Sequence, residues 1–407
     1  MTTSPTANRT EALSDLAVDN FREYLRIPSV HPDVDYVPCV TFLQKQATSL
    51  GLPLKTYYPA KPNKPVVVIT WQGTDPSLTS VLLNSHMDVV PVFEEEWTHK
   101  PFAADMDADG KIFARGAQDM KCVGIQYLEA IRVLKTNAWK PKRTLHLCFV
   151  PDEEIGGEDG MKTFVTTADF KNLNIGFSLD EGIASPDETF SLYYGERAIW
   201  HLEFHCNGQA GHGSLLHENT AGEKMRVILD KLFDMREEQK KILENNPEMT
   251  IGDVLTLNLC ILQGGKQSNV VPPEFWCSMD CRIPVTMNTK DLYKTFESWC
   301  AAAGKDVTIV KEQFEEIIKP TELNDKNAYW VAMKQATDAL GLKIKPMIFP
   351  GGTDSRYLRE LNIPALGFSP MNNTPVLLHD NDEYLEKHVF LRGIDIYCRI
   401  IPALANV

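Results

Sequence analysis

Short apolar runs set the rhythm of the chain. Pro65–Trp71, Ser80–Asn84, Thr144–Val150 and Ile175–Leu179 carry apolar residues on both alternating sets of positions. Strands of this kind are buried on both faces, as in a mostly parallel sheet covered by helices on each side. Ahead of them, Leu13, Leu16, Ala17, Phe21, Tyr24 and Leu25 recur at helical spacing and stop before Pro28. A second helix is predicted over Tyr36–Leu50, with Gly51 as its C-terminal stop. Near residue 195 the pattern changes: Trp200, Leu202, Phe204 and Cys206 alternate with His201, Glu203 and His205, the signature of a half-exposed strand. Thr220-Ala-Gly-Glu223 has the form of a capping box, opening a helix with Met225, Ile228, Leu229, Leu232 and Phe233 on one face.

Strands predicted over Asp253–Gln263 and Glu274–Ile283, a helix over Thr289–Ala303 and a strand over Asp306–Phe314 complete the order β-α-β-β-α-β of a ferredoxin-like sandwich. A helix near Ala328–Leu340 and strands near Lys343–Ile348 and Ile363–Phe368 then resume the earlier style. The fold class is therefore α/β, with a smaller α+β domain over 195–316 inserted between the two parts of a larger one, 1–194 and 317–407.

Composition narrows the function. The 407 residues are 43% hydrophobic and 24% charged, which is globular, and the net charge of −14 gives no electrostatic footprint for nucleic acid or an anionic membrane. No apolar run reaches the length of a membrane span, and the polar start MTTSPTANRTEALSDL lacks the apolar core of a secretory signal. Nine cysteines, odd in number and without a C-x-x-C pair, read as reduced, buried residues, so a cytoplasmic location is expected.

Three of the buried runs end alike. Val81–Ser85 leads into His86-Met-Asp88, Leu145–Val150 into Pro151-Asp-Glu153-Glu154, and Ile175–Leu179 into Asp180-Glu181-Gly182. In open α/β sheets ligands bind beyond the carboxyl ends of the strands. So many carboxylates and an imidazole at one edge would repel without a cation, and they are the donor types of zinc or another divalent metal. A Glu-Glu pair in a solvated loop or a histidine at the surface is the plainer reading of each piece, and the spacing by itself leaves both open. Asp105-Met-Asp107-Ala-Asp109-Gly110 starts like a calcium loop but has Gly116 where the closing glutamate belongs, so it reads as a hairpin turn. Phosphate-loop, G-x-S-x-G and H-E-x-x-H patterns are absent.

In order along the chain stand Leu83-Asn-Ser-His86-Met-Asp88-Val-Val-Pro91, Ala114-Arg-Gly-Ala-Gln-Asp119-Met-Lys121, Val150-Pro-Asp-Glu153-Glu154-Ile-Gly-Gly157 and Leu179-Asp-Glu181-Gly182. Asn269-Val-Val-Pro272, Asp280-Cys-Arg282-Ile-Pro284, Gly351-Gly-Thr-Asp354 and Leu377-Leu-His379 follow. From about residue 10 to the C-terminus the chain resembles the aminoacylase-type zinc metallopeptidases.

That resemblance implies a zinc-peptidase-like catalytic domain and an inserted dimerisation or lid domain. It implies two Zn2+ per chain: His86 and Glu181 on one, Glu154 and His379 on the other, and Asp119 bridging them. Asp88 would hydrogen-bond the His86 imidazole, and Glu153 would be the general base. Asp119 could also cap the helix that follows it. His212 would reach across a homodimer interface to stabilise an oxyanion. Asn269, Arg282 and Arg356 would bind substrate, arginine suiting a carboxylate through its planar fork. The implied reaction is deacylation of N-acyl-L-amino acids, with a dipeptidase or carboxypeptidase as the alternative in the same family and a metal-free binding relative as the alternative outside it. Leu215-Leu216-His217 stand where the family pattern has an early basic residue, which bears on acyl or side-chain preference.

Overall fold

The computed structural model describes residues 9–407; the first eight residues of the expected N-terminal domain lie outside them. The chain divides into two compact units. The larger holds the chain up to Tyr194 together with Thr321–Pro346 and Thr353–Val407, and the smaller holds Gly195–Pro320 and Met347–Gly352. The return of Met347–Gly352 to the smaller unit has no counterpart in the sequence pattern.

The larger unit is built on an eight-stranded sheet. At its centre Leu145–Val150, Ser80–His86, Ile175–Asp180 and Ala365–Phe368 run parallel, while Leu54–Tyr57 and Val66–Trp71 on one side and Thr189–Glu196 on the other are antiparallel to their neighbours. Side chains alternate between two cores because a strand has a period of two. Val81, Leu83, Leu145, Leu147 and Phe149 pack on the side of the helices Glu11–Leu25, Lys121–Thr136 and Lys387–Ala405. Leu82, Cys148 and Val150 pack on the other side with Met161, Phe164 and Phe170.

Local signals carry the boundaries. Thr10 caps the first helix by accepting from the Leu13 N–H, and Gly51 ends the second, Val37–Leu50, at φ 63°. Within the first helix Ala17, Phe21, Tyr24 and Leu25 are buried, but Leu16 lies on the solvent side. Asp105–Met106 and Lys111–Phe113 form the expected hairpin, with Gly110 at positive φ. Asp119 does not cap the helix after it; that helix starts at Lys121, behind Met120, with no side-chain cap. Eight cysteines are buried, and Cys260 is exposed on the strand Thr256–Gly264, against the expectation that all are buried.

The smaller unit orders its four-stranded sheet as Thr256–Gly264, Glu274–Ile283, Ala198–Asn207, Val307–Phe314, all antiparallel, which is the ferredoxin-like arrangement. The Thr220–Glu223 capping box opens the helix Ala221–Asn245, whose Met225, Ile228 and Leu232 are buried while Phe233 is exposed. No described helix is long and apolar enough to cross a membrane.

Gly367 marks a tight contact near the sheet edge: a Cβ there would meet the Glu181 carbonyl oxygen at 2.3 Å. Gly367→Ala is expected to cost about 1–3 kcal/mol in denaturant unfolding, since neither backbone can yield without disturbing the sheet. A variant as stable as the parent would mean the strands have room that this packing denies.

Candidate metal centre

Because the central strands are parallel, their carboxyl ends deliver chemistry to one edge. His86 ends Ser80–His86, Glu153 and Glu154 open the short helix Glu153–Ile155 after Leu145–Val150, and Glu181 follows Ile175–Asp180. Asp119 precedes the helix Lys121–Thr136, and His379 comes from a turn near the C-terminus at φ 63°.

These groups converge. The His86 Nδ1 lies 2.9 Å from the Asp88 backbone carbonyl. A carbonyl only accepts, so Nδ1 carries a proton, and in the neutral ring Nε2 is the nitrogen with a lone pair for a cation. That Nε2 faces Asp119 Oδ1 at 3.1 Å and Glu181 Oε2 at 3.6 Å. His379 Nε2 faces the other Asp119 oxygen, Oδ2, at 3.4 Å, and Glu154 Oε2 at 3.2 Å. Asp119 thus gives one oxygen to each histidine–glutamate pair, and within each triad the donor atoms lie within 4.8 Å of one another. The first triad is buried throughout, whereas His379, on the second, is exposed.

The electrostatics show what such a cluster lacks. Burial pushes Glu154 up to about 7, with Asp119 adding to it. Burial likewise raises Glu181 and then Glu153, whose carboxyl also feels Glu181. Asp119 is held low against its own burial by the hydrogen bonds of His379 and His86. Burial would lower His86, but Glu181 and Asp119 outweigh it and hold its ring well above the usual imidazole range. His379 is pushed up to about 10 by its hydrogen bonds to Asp119 and Glu154. Glu154 Oε1 is buried and without a hydrogen-bond partner. Oxygen and imidazole donors with lone pairs turned inward, one of them unanswered, suit a pair of divalent cations sharing Asp119.

Asp88 hydrogen-bonds the His86 ring as expected, and does so through its backbone. Its backbone carbonyl orients His86, while its carboxylate stands 3.7 Å from Nδ1. The carboxylate instead accepts from the Glu153 and Glu154 backbone N–H groups at 3.2 and 3.1 Å and meets His31 Nε2 at 2.9 Å. His31, Asp88 and Asp152 form a further buried cluster. There Asp152 already takes Lys64 Nζ at 2.7 Å and the Tyr36 hydroxyl at 2.6 Å, so its charge is answered within the protein. His31, Tyr36 and Lys64 escaped the sequence reading, which held no signal for them beyond single polar residues in unremarkable contexts.

Arg356 is buried on the helix Ser355–Glu360 of the same unit, beside Asp354. Burial and then Asp180 push that carboxyl up to about 8, while Arg356 lowers it.

In the smaller unit, His212 lies in the two-residue strand Gly211–His212, which pairs with Val270–Val271. The Gly213 N–H donates to the Asn269 carbonyl at 2.8 Å, so His212 and Asn269 are neighbours. The Ser214 N–H donates to His212 Nδ1 at 3.2 Å, which leaves the proton of the neutral ring on Nε2. Arg282 lies toward the other end of the strand Glu274–Ile283 and grips Asp280 through two bonds of 2.7 and 2.8 Å. It is not gathered with His212 and Asn269.

Residues 82–403 match the model of Peptidase family M20/M25/M40, and the chain belongs to that family. It is a hydrolase. The chain is similar to Aminoacylase-1 of Homo sapiens, with 46% identity over 391 residues and 96% of each chain covered. Aminoacylase-1 of Dictyostelium discoideum is 42% identical over 95% of this chain and 97% of its own. Among solved structures, an M20 family metallo-carboxypeptidase from Sulfolobus solfataricus shares the fold at TM-score 0.73 and 17% identity, covering 96% of this chain and 99% of that one. A dinuclear metal binding peptidase of the M20 family from Bacillus subtilis does so at TM-score 0.69 and 16% identity, covering 98% and 99%.

Loading a cation here must displace protons. Below about 10 the His379 ring holds a proton that ligation requires it to lose, and Glu154 holds part of one below about 7. Calorimetric titration with Zn2+ in buffers of different ionisation enthalpy should therefore show proton release, with affinity rising as pH increases. Binding without proton release would mean the cation sits elsewhere.

Proposed function

We propose that the chain hydrolyses the amide bond of N-acyl-L-amino acids, giving a carboxylate and a free L-amino acid, with two zinc ions held by His86 and Glu181, by Glu154 and His379, and jointly by Asp119. The observation that carries this reading is the division of the Asp119 oxygens between the two histidine–glutamate pairs. The substrate class rests on the 46% identity to aminoacylase-1 across 96% of the chain.

When bound, the two cations would acidify a water and polarise the acyl carbonyl. Glu153 stands next to ligand Glu154 on a turn that the Asp88 carboxylate fixes through two backbone N–H groups. Its carboxylate takes the proton of the attacking water and passes it to the leaving nitrogen, so the amine departs neutral. Asp88 acts by positioning, through its carbonyl on His86 and its carboxylate beneath Glu153 and Glu154. Arg356, Arg282 and Asn269 are the groups for the substrate carboxylate and carbonyl. Arg282 would have to share its guanidinium with Asp280 to serve. His212, exposed and with Nδ1 taken by Ser214, is the donor for the oxyanion of the tetrahedral intermediate through Nε2.

The smaller unit pairs with a second copy, so the protein works as a homodimer, and the free, mostly buried thiols fit a cytoplasmic setting. Substrates are small N-acyl amino acids; an acidic chain has no use for nucleic acid.

Glu153→Gln should lower turnover of N-acetyl amino acids by a factor on the order of a hundred or more while both cations remain bound. Activity near the parent's would remove Glu153 from the role of base. Faster cleavage of a dipeptide panel than of the N-acetyl panel would replace the deacylase with a dipeptidase. Mixed under subunit exchange, inactive Glu153→Ala and His212→Ala proteins should recover up to about half the parent activity per mixed dimer, because one site of each then holds both intact groups. Exchange without recovery would place His212 within its own chain's chemistry or outside it.

A further inference from the structure

Glu383 is wholly buried, and no motif of the sequence singles it out. Its Oε1 accepts from the backbone N–H groups of Gln118 at 2.6 Å and Asp119 at 3.3 Å, and its Oε2 from Gly116 at 3.0 Å. The loop that ends in Asp119 is therefore wrapped around one carboxylate. Arg115 closes the arrangement from the other side. Its Nη1 donates to Glu383 Oε2 at 2.8 Å and to the Asp380 carbonyl at 3.0 Å, and its Nη2 to the His379 carbonyl at 3.2 Å. The guanidinium lies 5.2 Å from the centre of the Trp97 ring.

The turn gripped in this way needs gripping. His379 occupies the left-handed region at φ 63°, which a residue with a Cβ holds only when its surroundings insist. Gln118 adds parallel ties: Nε2 donates to the carbonyls of Pro375 and Tyr384 at 3.0 and 2.9 Å, and Oε1 accepts from Leu377 N–H at 3.1 Å. The segments carrying Asp119 and His379 are far apart in sequence, and these bonds tie one to the other beside the pairing of Tyr384–Glu386 with Lys111–Phe113.

We propose that Arg115 and Glu383 act as a clamp that fixes Asp119 against His379 and thereby sets the affinity of the cation site which those residues share with Glu154. Both are positioning residues; neither faces substrate. The His86–Glu181 site depends on the clamp only through Asp119, so its affinity should change less. The inference rests on the two-cation reading above.

Arg115→Lys separates a clamp from a mere buried charge pair. Lysine keeps a cation beside Glu383, but its point charge cannot span both Glu383 and the His379 carbonyl as the planar fork does. Zn2+ binding measured against a competing chelator should show one of two sites weakened about 10- to 100-fold, the usual effect of losing a group that orients a ligand. Glu383→Gln should weaken the same site.

If the parent protein takes up fewer than two Zn2+, the two-cation reading fails and the clamp with it. If the parent binds two and both variants bind two at parent affinities, the clamp is overturned while that reading stands. Should a variant unfold without metal, its melting temperature measured against Zn2+ concentration gives the affinity through linkage. A variant that stays unfolded at every Zn2+ concentration assigns the pair to folding and overturns its role in affinity.

Discussion

Unanswered negative charge is the constraint on which this architecture turns. Asp119, Glu153, Glu154 and Glu181 meet two imidazoles at one edge of a sheet; burial raises the three glutamates, while Asp119 is held low by the histidines that the cluster raises in turn. Such a cluster persists only where protons or cations answer it, because an isolated buried carboxylate is strongly disfavoured. The unfavourable arrangement of the bare ligands is thus the source of their affinity for a cation. The rest of the unit must keep them from relaxing apart.

Two other buried carboxylates do that work, and they do it in the same way. Asp88 accepts the backbone N–H groups of Glu153 and Glu154, and Glu383 those of Gly116, Gln118 and Asp119. Each fixes the backbone ahead of or at a ligand, which leaves the ligand side chain free to point into the site. Each is itself met from behind, Asp88 by the His31 ring and Glu383 by the Arg115 guanidinium. A carboxylate shared among several amides is a strong acceptor in a low-dielectric interior, and it holds a turn that has no regular ladder of its own.

This division explains what was legible in the sequence. Buried strands announce themselves by apolar runs, and a run that ends in His-x-Asp, Asp-Glu-Glu or Asp-Glu marks the functional edge once the sheet is parallel. The ferredoxin-like unit was legible because its strands alternate cleanly and its first helix starts at a capping box. The supports were not. His31, Lys64 and Glu383 are single polar residues with no periodicity, and their partners lie 57, 88 and 268 positions away. Asp88 was expected to hydrogen-bond the His86 ring and does, but spacing does not say whether carbonyl or carboxylate turns to it. Asp119 was credited with a cap that Met120 occupies. Leu16 and Phe233 sit at the margin of an apolar stripe, where periodicity alone does not separate core from rim.

The chain order has a physical logic of its own. The chain leaves the larger unit after Tyr194 and returns to it at Thr321, whose N–H donates to the Tyr194 carbonyl at 2.7 Å. Entry and exit that already lie side by side make a long insertion inexpensive in closure entropy, which grows only slowly with length. The consequence falls on the metal centre. Four of its donors, His86, Asp119, Glu154 and Glu181, precede the insertion and lie on or against the parallel strands, but His379 follows it on an exposed turn outside that sheet. A ligand delivered so late, at a backbone conformation unfavourable to it, must be held by bonds back to the earlier chain. Arg115 and Gln118 make those bonds from within the segment that supplies Asp119, so the half of the site most open to solvent is also the half most dependent on tertiary hydrogen bonds.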